Sequence, residues 1–380
     1  MLERVYIYEP CGDGHRFFYV RLLLEAAVRE GLKPVLVTRR DDAEGASFAT
    51  HLAELAPELI TINSEAETYR FGIGTRNLVK LTGDLDLRRS VVIVPDFDWV
   101  LPQYIATRIL RPWRPFRCVG LVMRAEVTGN RALVKKLLCG FASAAFVRSL
   151  RIMHLVGALA YDASDGRSVP DPAPSHPPAG SGAALESKHE PTLARLQSVR
   201  SAGRPVIAII GRLDERKGVA AALAALEELR SRGVDAVLAL LGAQTASVAR
   251  TVADFIQRHP QVEPSIAMLP RLLSDEELRA ALSAASLGLL LYQNADGPSG
   301  MLSQMMTSGI PVVASGNRYC RDVLRRMPQY GVYVELAEAS CVADAVESVL
   351  QLPRPDYLAG LPGAHDFSGR LLSTARALSR

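Results

Sequence analysis

The sequence predicts an α/β fold made of two doubly wound, parallel-sheet domains. The chain has 380 residues, a length that suits two domains. Short apolar runs rich in β-branched residues alternate with helical patterns, which is typical of parallel sheets with crossover helices. A stretch rich in Pro, Ser, Gly and Ala, from Asp162 to Glu190, separates two halves of similar size.

Composition excludes several classes of protein. Hydrophobic residues make up 48% of the chain and charged residues 22%, and no apolar run is long enough for a membrane helix. The net charge of +4 does not indicate a nucleic-acid partner. The N-terminal residues already have a strand pattern, so we expect no signal peptide. The 5 cysteines are scattered and the 7 histidines form no cluster, which predicts reduced cytoplasmic thiols and no metal site.

The first predicted βα unit runs from the strand Arg4–Glu9 through a glycine loop to a helix that starts near Arg16. Gly12 and Gly14 lie in this loop, but the glycine pattern of a nicotinamide site is incomplete because Phe17 takes the place of its last glycine. His15 follows Gly14, where it either contacts a substrate or caps the helix. Gly14 and His15 are therefore candidate ligand-binding residues.

Two more strands of the first domain end in polar residues. Asp96 and Asp98 follow a buried strand that ends at Pro95, and the carboxyl ends of parallel strands face the ligand crevice. These carboxylates could bind the hydroxyl groups of a ligand, although Asp98 could equally cap a helix that starts at Trp99. Arg124 ends the next strand, where it either binds an anionic substrate group or pairs with Glu126.

Residues Arg108–Arg117 combine four arginines with two aromatic side chains. Basic and aromatic residues on one surface can hold a protein at a membrane interface. The alternative is a solvated loop in which Trp113 and Phe116 are anchored in the fold. Pro112 and Pro115 favour a loop or a helix end over a long amphipathic helix.

In the second half, cations follow one strand and a helix start follows another. The strand Val206–Ile210 leads to Gly211, Arg212 and Lys217, and two cations at that edge of a sheet suit a diphosphate. Gly242 ends the next strand, where the missing side chain would let a base approach the backbone. Ser274 and Glu277 form a capping box.

The segment from Leu287 to Val313 reads as strand, glycine loop, helix and strand. The helix pattern covers Met301–Thr307, and a glycine loop before a helix presents unpaired N–H groups to an anion. Its first residues are therefore candidate anion-binding positions: Ser299, Gly300, Met301 and Leu302.

Three motifs of the second half together resemble the group 1, family 4 retaining glycosyltransferases of the GT-B fold. These motifs are GRLDERKG at Gly211–Gly218, LSDEEL at Leu273–Leu278 and DGPSGMLSQMMTSGIPVVAS at Asp296–Ser315. The resemblance covers residues 169 to 340 well and the first half loosely. It implies two Rossmann-like domains facing a cleft: residues 1–165 on the acceptor side, residues 166–355 for the nucleotide sugar, and a tail, 356–380, returning to the first domain.

The resemblance also implies a mechanism and a set of roles. A retaining enzyme of this type uses no protein nucleophile and no metal, and it takes a nucleotide diphosphate-sugar as donor substrate without a cofactor. Arg212 and Lys217 would bind the diphosphate, Asp296 the sugar hydroxyls and Gln304 the ribose. The remaining nucleotide-binding positions would be Gly211, Gly242, Ser299, Gly300, Met301 and Leu302. The acceptor-side residues would be Gly14, His15, Asp96, Asp98 and Arg124. Both Asp296 and Gln304 stand where the family has glutamate, and Arg124 lies where it often has a histidine.

The implied function is transfer of a sugar to a saccharide or lipid-linked acceptor in cell-surface polysaccharide or glycoconjugate synthesis. The expected location is the cytoplasm, with weak contact at the inner membrane face through Arg108–Arg117. The departures at Asp296 and Gln304 leave two alternatives open: a non-catalytic nucleotide-binding or partner subunit, and a nucleotide-sugar epimerase of the same fold.

Overall fold

The computed structural model describes residues 2–12, 16–62, 71–84, 89–113, 116–123, 130–172, 190–295, 297–335, 337–356, 358 and 361–379. The chain forms two compact units. The first comprises residues 1–172 and 362–380, and the second comprises residues 173–361. Each unit is built on a parallel sheet with helices, which confirms the predicted α/β class.

Within its described residues, the first unit contains a seven-stranded sheet. The strands are β1 (Arg4–Tyr8), β2 (Lys33–Arg39), β3 (Glu58–Ile62), β4 (Ser90–Val94), β5 (Cys118–Val122), β6 (Leu150–Val156) and β7 (Ser168–Pro170). They pair in parallel in the spatial order β3-β2-β1-β4-β5-β6-β7. The helices between them are α1 (Arg16–Arg29), α2 (Arg40–Ala43), α3 (Ala46–His51), α4 (Phe71–Asp84), α5 (Phe97–Leu110) and α6 (Asn130–Ala145).

Helices cover both faces of this sheet, which explains why its central strands are apolar at consecutive positions. In β4, Val91 and Ile93 belong to the core on one face, which includes residues of α1. Val92 and Val94 point to the opposite core, which includes residues of α4, α5 and α6. A strand buried on both sides cannot show the polar–apolar alternation of a half-exposed sheet.

The described part of the second unit holds a six-stranded parallel sheet. Its strands are β8 (Val206–Ile210), β9 (Val237–Leu241), β10 (Ile266–Leu269), β11 (Leu287–Ala295), β12 (Val312–Asn317) and β13 (Gly331–Tyr333). Their spatial order is β10-β9-β8-β11-β12-β13. The helices are α7 (Pro191–Ser201), α8 (Val219–Ser231), α9 (Ala246–Arg258), α10 (Asp275–Ala284), α11 (Gly300–Thr307), α12 (Arg318–Arg326) and α13 (Ala339–Leu350).

The predicted elements of this unit are confirmed with small shifts at their ends. β8 has the predicted bounds, and α11 starts one residue before the predicted Met301. The capping box of α10 is complete. The N–H of Glu277 donates to Ser274 Oγ at 3.2 Å, and the N–H of Ser274 donates to Glu277 Oε2 at 2.9 Å.

A last helix, α14 (Ala364–Ser379), packs on the first unit. The ring centroids of Phe367 and Tyr19 lie 5.3 Å apart. Arg370 Nε donates to the Tyr161 hydroxyl at 2.9 Å, and Arg376 forms an ion pair of 2.8 Å with Glu30. The C-terminal residues therefore complete the core of the unit that the N-terminal residues begin.

In both sheets the strand order reverses direction once. The reversal falls between β1 and β4 in the first unit and between β8 and β11 in the second. Loops at the carboxyl ends of the two strands diverge at such a point, which leaves room for a ligand. The topology therefore indicates one candidate site in each unit.

We predict that Gly242→Ala destabilises the second unit more than Gly203→Ala. Both glycines have positive φ, at +140° and +83°, so alanine is strained at either position by about 1–2 kcal/mol. A Cβ at Gly242 would also lie 2.0 Å from the carbonyl oxygen of Gly211, whereas one at Gly203 would have no atom within 4 Å. The extra overlap should cost about 1–3 kcal/mol more.

The free energy of unfolding is to be measured in urea by far-ultraviolet circular dichroism. Equal losses in the two variants would contradict the close packing of Gly242 on Gly211.

Candidate functional site

The site of the second unit starts where β8 ends. Gly211 follows the strand with φ at +104°, and its N–H donates to the carbonyl of Leu241 at 2.9 Å. The N–H of Leu213 donates to the carbonyl of Ala243 at 2.8 Å. These bonds hold the loop after β8 against the loop after β9. Arg212 lies between the two anchored residues, with its side chain exposed.

The two neighbouring cations of this loop have different environments. Asp214 accepts a hydrogen bond from the backbone N–H of Arg216 at 3.1 Å and forms a 2.6 Å ion pair with its guanidinium. The ammonium of Lys217 instead lies 4.9 Å from the centroid of the Tyr292 ring, in cation–π contact. Asp214 therefore neutralises Arg216, while Lys217 faces the end of β11.

A glycine makes this approach to β11 feasible. Gly218 has φ at +64°, and a Cβ there would lie 2.2 Å from the carbonyl oxygen of Leu291. The chain after Lys217 therefore lies directly on the backbone of β11, and no other residue type fits without displacing it.

The start of α11 is linked to the same place through Tyr292. The Tyr292 hydroxyl and Ser299 Oγ lie 2.8 Å apart, in a hydrogen bond. Ser299 is the N-cap of α11, and its Oγ accepts the N–H of Leu302 at 3.2 Å. Lys217, Tyr292 and Ser299 thus form a continuous chain of contacts from the loop after β8 to the first turn of α11.

Asn317 fixes the loop that precedes α11. Its Nδ2 donates to the carbonyl of Gly297 at 3.2 Å, and its Oδ1 accepts the N–H of Cys320 as the N-cap of α12. Burial raises the pKa of the Cys320 thiol to about 12, against opposing effects of its hydrogen bond with Ser299 and the charge of Lys217. This thiol stays protonated and supports the loop without offering a nucleophile.

An anion is the ligand that this arrangement suits best. The N–H groups of the first turn of a helix have no helical carbonyl to bind, and they carry the positive end of the helix dipole. Ser299 takes the N–H of Leu302, so Gly300 and Met301 contribute the remaining N–H groups of that turn. With the ammonium of Lys217 nearby, this edge of the sheet is positive.

The other site residues that the sequence predicts for the second unit are mostly packed within the fold. Gly211 and Gly242 pack on each other, so the packing of the protein's own backbone already requires a glycine at 242. The side chains of Met301, Leu302 and Gln304 are buried within α11, which leaves backbone groups as the contacts of the first two. Asp296 lies outside the described residues.

Sequence reasoning missed Tyr292, Asn317 and Asp214. Tyr292 ends an apolar run and was interpreted as part of the strand. Its phenol lies within β11, which continues to Ala295, so its position in the sequence gave no signal of its contacts with Lys217 and Ser299.

The candidate site of the first unit is a group of three ionisable residues, of which the two carboxyl groups are buried. Glu9 follows β1, Asp96 follows β4, and Arg16 opens α1. The Arg16 guanidinium lies 2.6 Å from Asp96 Oδ2 and 3.6 Å from Glu9 Oε1. Glu9 also accepts the N–H of Cys11 at 3.2 Å. Sequence reasoning selected Asp96 and missed Glu9, which stands directly after the strand and is fully buried.

Two carboxyl groups, those of Glu9 and Asp96, lie beside the guanidinium of Arg16. Burial raises the pKa of Glu9 to about 8, opposed by Arg16 and reinforced by the charge of Asp96. Glu9 therefore carries a proton at neutral pH, while Arg16 pairs with Asp96. The group can donate or accept a proton close to physiological pH.

Asp98 has a different role from the predicted helix cap. α5 starts at Phe97, so Asp98 is inside its first turn. Its carboxylate accepts the N–H of Met123 at 2.9 Å and forms an ion pair with Lys135 of α6. The helix-cap prediction was wrong because these partners lie far along the chain. Gly14, His15 and Arg124 lie outside the described residues.

The basic and aromatic segment Arg108–Arg117 has one buried aromatic and one exposed. Phe116 is buried, with its ring centroid 5.1 Å from that of Tyr104. Trp113 is 75% exposed. Of the two aromatic side chains, Trp113 is therefore accessible for contact with a membrane interface and Phe116 is not. No helix in the described part of the chain has the length and apolarity needed to cross a bilayer.

Comparisons with known proteins agree on the fold. Sucrose-phosphate synthase from Thermosynechococcus elongatus is similar with a TM-score of 0.62 at 15% identity, covering 99% of this chain and 96% of that one. Anabaena Alr3699/HepE, in a complex with UDP-glucose, is similar with a TM-score of 0.58 at 13% identity. The match covers 99% of this chain and 94% of that one. The class of protein is therefore an α/β protein of the GT-B fold.

The family model of the glycosyl transferases group 1 matches residues 204–352. The serotype-specific mannosyltransferase WbdA of Escherichia coli is 28% identical over 180 residues, which are 45% of this chain and 20% of that relative. The chain thus spans about a fifth of the length of this curated relative. The matched segment, 204–352, is similar to the group 1 glycosyl transferases, and it contains the Lys217–Tyr292–Ser299 contacts.

We predict that Glu9→Gln changes the pH dependence of stability. In the unfolded chain Glu9 ionises near pH 4.5, whereas in the folded protein it keeps its proton up to about pH 8. Unfolding therefore releases a proton between these values, so Glu9 lowers stability progressively as the pH rises through this window. Glutamine resembles the protonated form and avoids that loss.

The stability of Glu9→Gln relative to the natural protein should therefore rise from pH 5 to pH 8 and then level off. Urea unfolding at a series of pH values measures this difference, with the exposed Glu54→Gln as the matched control. A Glu9→Gln difference that is constant across the window would show that Glu9 is ionised when folded.

Proposed function

We propose that this protein is a glycosyltransferase that moves a sugar from a nucleotide diphosphate-sugar to an acceptor hydroxyl with retention of configuration. One observation carries the proposal: the ammonium of Lys217 and the first turn of α11 are joined through Tyr292 and Ser299. This is an anion site at the strand reversal of a group 1 glycosyltransferase domain.

The proposed role of this site is to stabilise the leaving diphosphate. As the bond between sugar and phosphate breaks, negative charge grows on the phosphate oxygens. Arg212 and Lys217 supply cations, and the N–H groups of Gly300 and Met301 supply dipoles that are already oriented. Tyr292 holds the Lys217 ammonium in place, so little reorganisation is needed when the charge develops.

Retention follows if the acceptor hydroxyl attacks from the face that the diphosphate leaves. The leaving phosphate then takes the proton of the hydroxyl, and no side chain has to act as nucleophile. Asp296 would bind the sugar hydroxyls and Gln304 the ribose. Among the described residues, no three His, Cys, Asp or Glu side chains converge as a metal-binding group. Metal independence stays a prediction.

The proposed acceptor is a saccharide or a lipid-linked saccharide, in the synthesis of a cell-surface polysaccharide or glycoconjugate. Asp96 and Asp98 remain the candidate acceptor contacts among the described residues of the first unit, and Glu9 joins them as a proton carrier. A cytoplasmic location suits the 5 cysteines, which are all free thiols.

A non-catalytic nucleotide-binding subunit is the second candidate. Gln304 favours it, because an amide binds a hydroxyl less strongly than a carboxylate does. Its buried position within α11 gives it little freedom to adapt. Such a subunit would use the same Lys217 site and would bind a nucleotide sugar without turnover.

We predict that Lys217→Ala weakens binding of a nucleoside diphosphate by about 1.5–3 kcal/mol, the range for a hydrogen bond to a charged group. That energy corresponds to a loss of about 10- to 150-fold in affinity. Isothermal titration calorimetry with UDP and GDP measures it.

Arg216→Ala is the matched control, because Asp214 already pairs with this neighbouring cation. A similar loss in both variants would show that general positive charge, and not the position of Lys217, binds the ligand.

We further predict slow release of free nucleotide when the natural protein is incubated with one member of a panel of nucleotide sugars. The Lys217→Ala variant should lose this release, since the diphosphate then leaves without its cation. Nuclear magnetic resonance of the glycoside formed with an acceptor reads its anomeric configuration, which should match that of the donor.

Binding of a nucleotide sugar with no release, even with saccharide acceptors present, would favour the non-catalytic subunit. A product of inverted configuration would contradict retention.

A further inference from the structure

Exposed apolar side chains are concentrated in one part of the first unit. Among the described residues, nine large apolar side chains are more than half exposed, and eight of them fall within residues 109–147. We call the main group the apolar face: Ile109, Leu110, Trp113, Leu133, Leu137 and Phe141. Single exposed apolar residues are normal in a folded protein, but a local concentration marks a surface that binds something.

The α6 part of this face is a row along one side of the helix. Leu133, Leu137 and Phe141 are four residues apart, so they lie one above another. All three are more than half exposed, and Leu137 reaches 64%. The neighbouring row packs inward, since Leu138 and Ala142 join the core beneath α6. α6 is therefore apolar on its inner side and also on part of its outer side.

Phe146 connects this row with the end of α5. Its ring centroid lies 6.2 Å from that of Phe141, and the guanidinium of Arg108 lies 5.2 Å from it. Ile109 and Leu110 follow Arg108 and end α5, and Trp113 comes shortly after. The two parts of the apolar face are therefore adjacent on the surface of the first unit.

The same region is strongly basic. Residues 99–161 contain ten Lys and Arg and a single acid, Glu126, which gives a net charge of +9. The whole chain has a net charge of +4, so the rest of it is acidic, at −5. Lys136 and Arg148 are exposed, and each is adjacent in sequence to an exposed apolar residue, Leu137 or Val147. The stretch of chain with the excess of positive charge is thus the one that carries most of the exposed apolar side chains.

We propose that the apolar face docks on an anionic lipid bilayer. Aliphatic and aromatic side chains enter the boundary between headgroups and acyl chains, and the cations around them bind lipid phosphates. Two such signals together hold a protein at a membrane, whereas either alone binds only marginally. A nucleic acid would use the cations but not a row of aliphatic side chains.

This proposal does not depend on the proposed glycosyl transfer. Vesicle binding and nucleotide release are measured separately, and either one can fail without the other. If the protein both binds vesicles and transfers a sugar, the first unit works at a lipid surface, which favours a lipid-linked acceptor.

The test is co-sedimentation with vesicles of phosphatidylcholine mixed with phosphatidylglycerol, and with vesicles of phosphatidylcholine alone. The natural protein should pellet with the mixed vesicles, and high salt should release it. Trp113 should show a blue-shifted emission on binding, and the Trp113→Phe variant should lose this change.

Two double variants separate the contributions. Leu137→Asp with Phe141→Asp removes apolar contact, and Lys136→Glu with Arg148→Glu reverses charge. Each should lower the partition coefficient by about tenfold or more. The matched controls are Val28→Asp, which is exposed on α1, and Arg250→Glu with Arg258→Glu, which are exposed on α9. These controls should bind as the natural protein does.

Three results would overturn the proposal. The first is that the natural protein stays in the supernatant with mixed vesicles at low salt. The second is that the variants bind as well as the controls. The third is a dimer in equilibrium sedimentation that dissociates in the Leu137→Asp, Phe141→Asp variant, which would make the apolar face an interface between two copies. Circular dichroism of each variant verifies that it is folded.

Discussion

The contact between the Lys217 ammonium and the Tyr292 ring is the interaction on which the proposed donor site depends. Lys217 comes from the loop after one strand, and Tyr292 lies in the second half of the neighbouring strand. The ring holds the ammonium by its π face while its hydroxyl binds the N-cap of α11. A flexible cation and a fixed helix dipole are thereby brought to one place, which neither the loop nor the helix would achieve alone.

The two units use their strand reversals in opposite ways. At the reversal of the second unit, cations and N–H groups create a positive site. At the reversal of the first unit, Glu9 and Asp96 surround Arg16, and one of the two carboxyls keeps a proton. The same topology therefore supports an anion site in one case and a proton-carrying site in the other. The difference comes from a few residues that directly follow the strands.

Local patterns predicted those parts of the molecule that depend on local physics. The run Val206–Ile210 and the capping box of Ser274 depend on residues a few positions apart, and both were predicted. Lys217 could be selected because a cation after a strand is a local feature. Tyr292 could not, because its role depends on Lys217, 75 residues before it in sequence. The alternative that Asp98 caps a helix fails for the same reason, since its partner Lys135 comes from another helix.

The position of α14 has a consequence for how this protein can be divided. The chain leaves the first unit near residue 172 and returns to it near residue 362. A fragment that stops at residue 172 would lack Phe367, Leu371 and Leu372, which are buried in the core of that unit. The apolar surface beneath them would be open to solvent. The first unit can therefore be exchanged between related proteins only as two separate pieces of sequence, whereas the second unit is one continuous insertion.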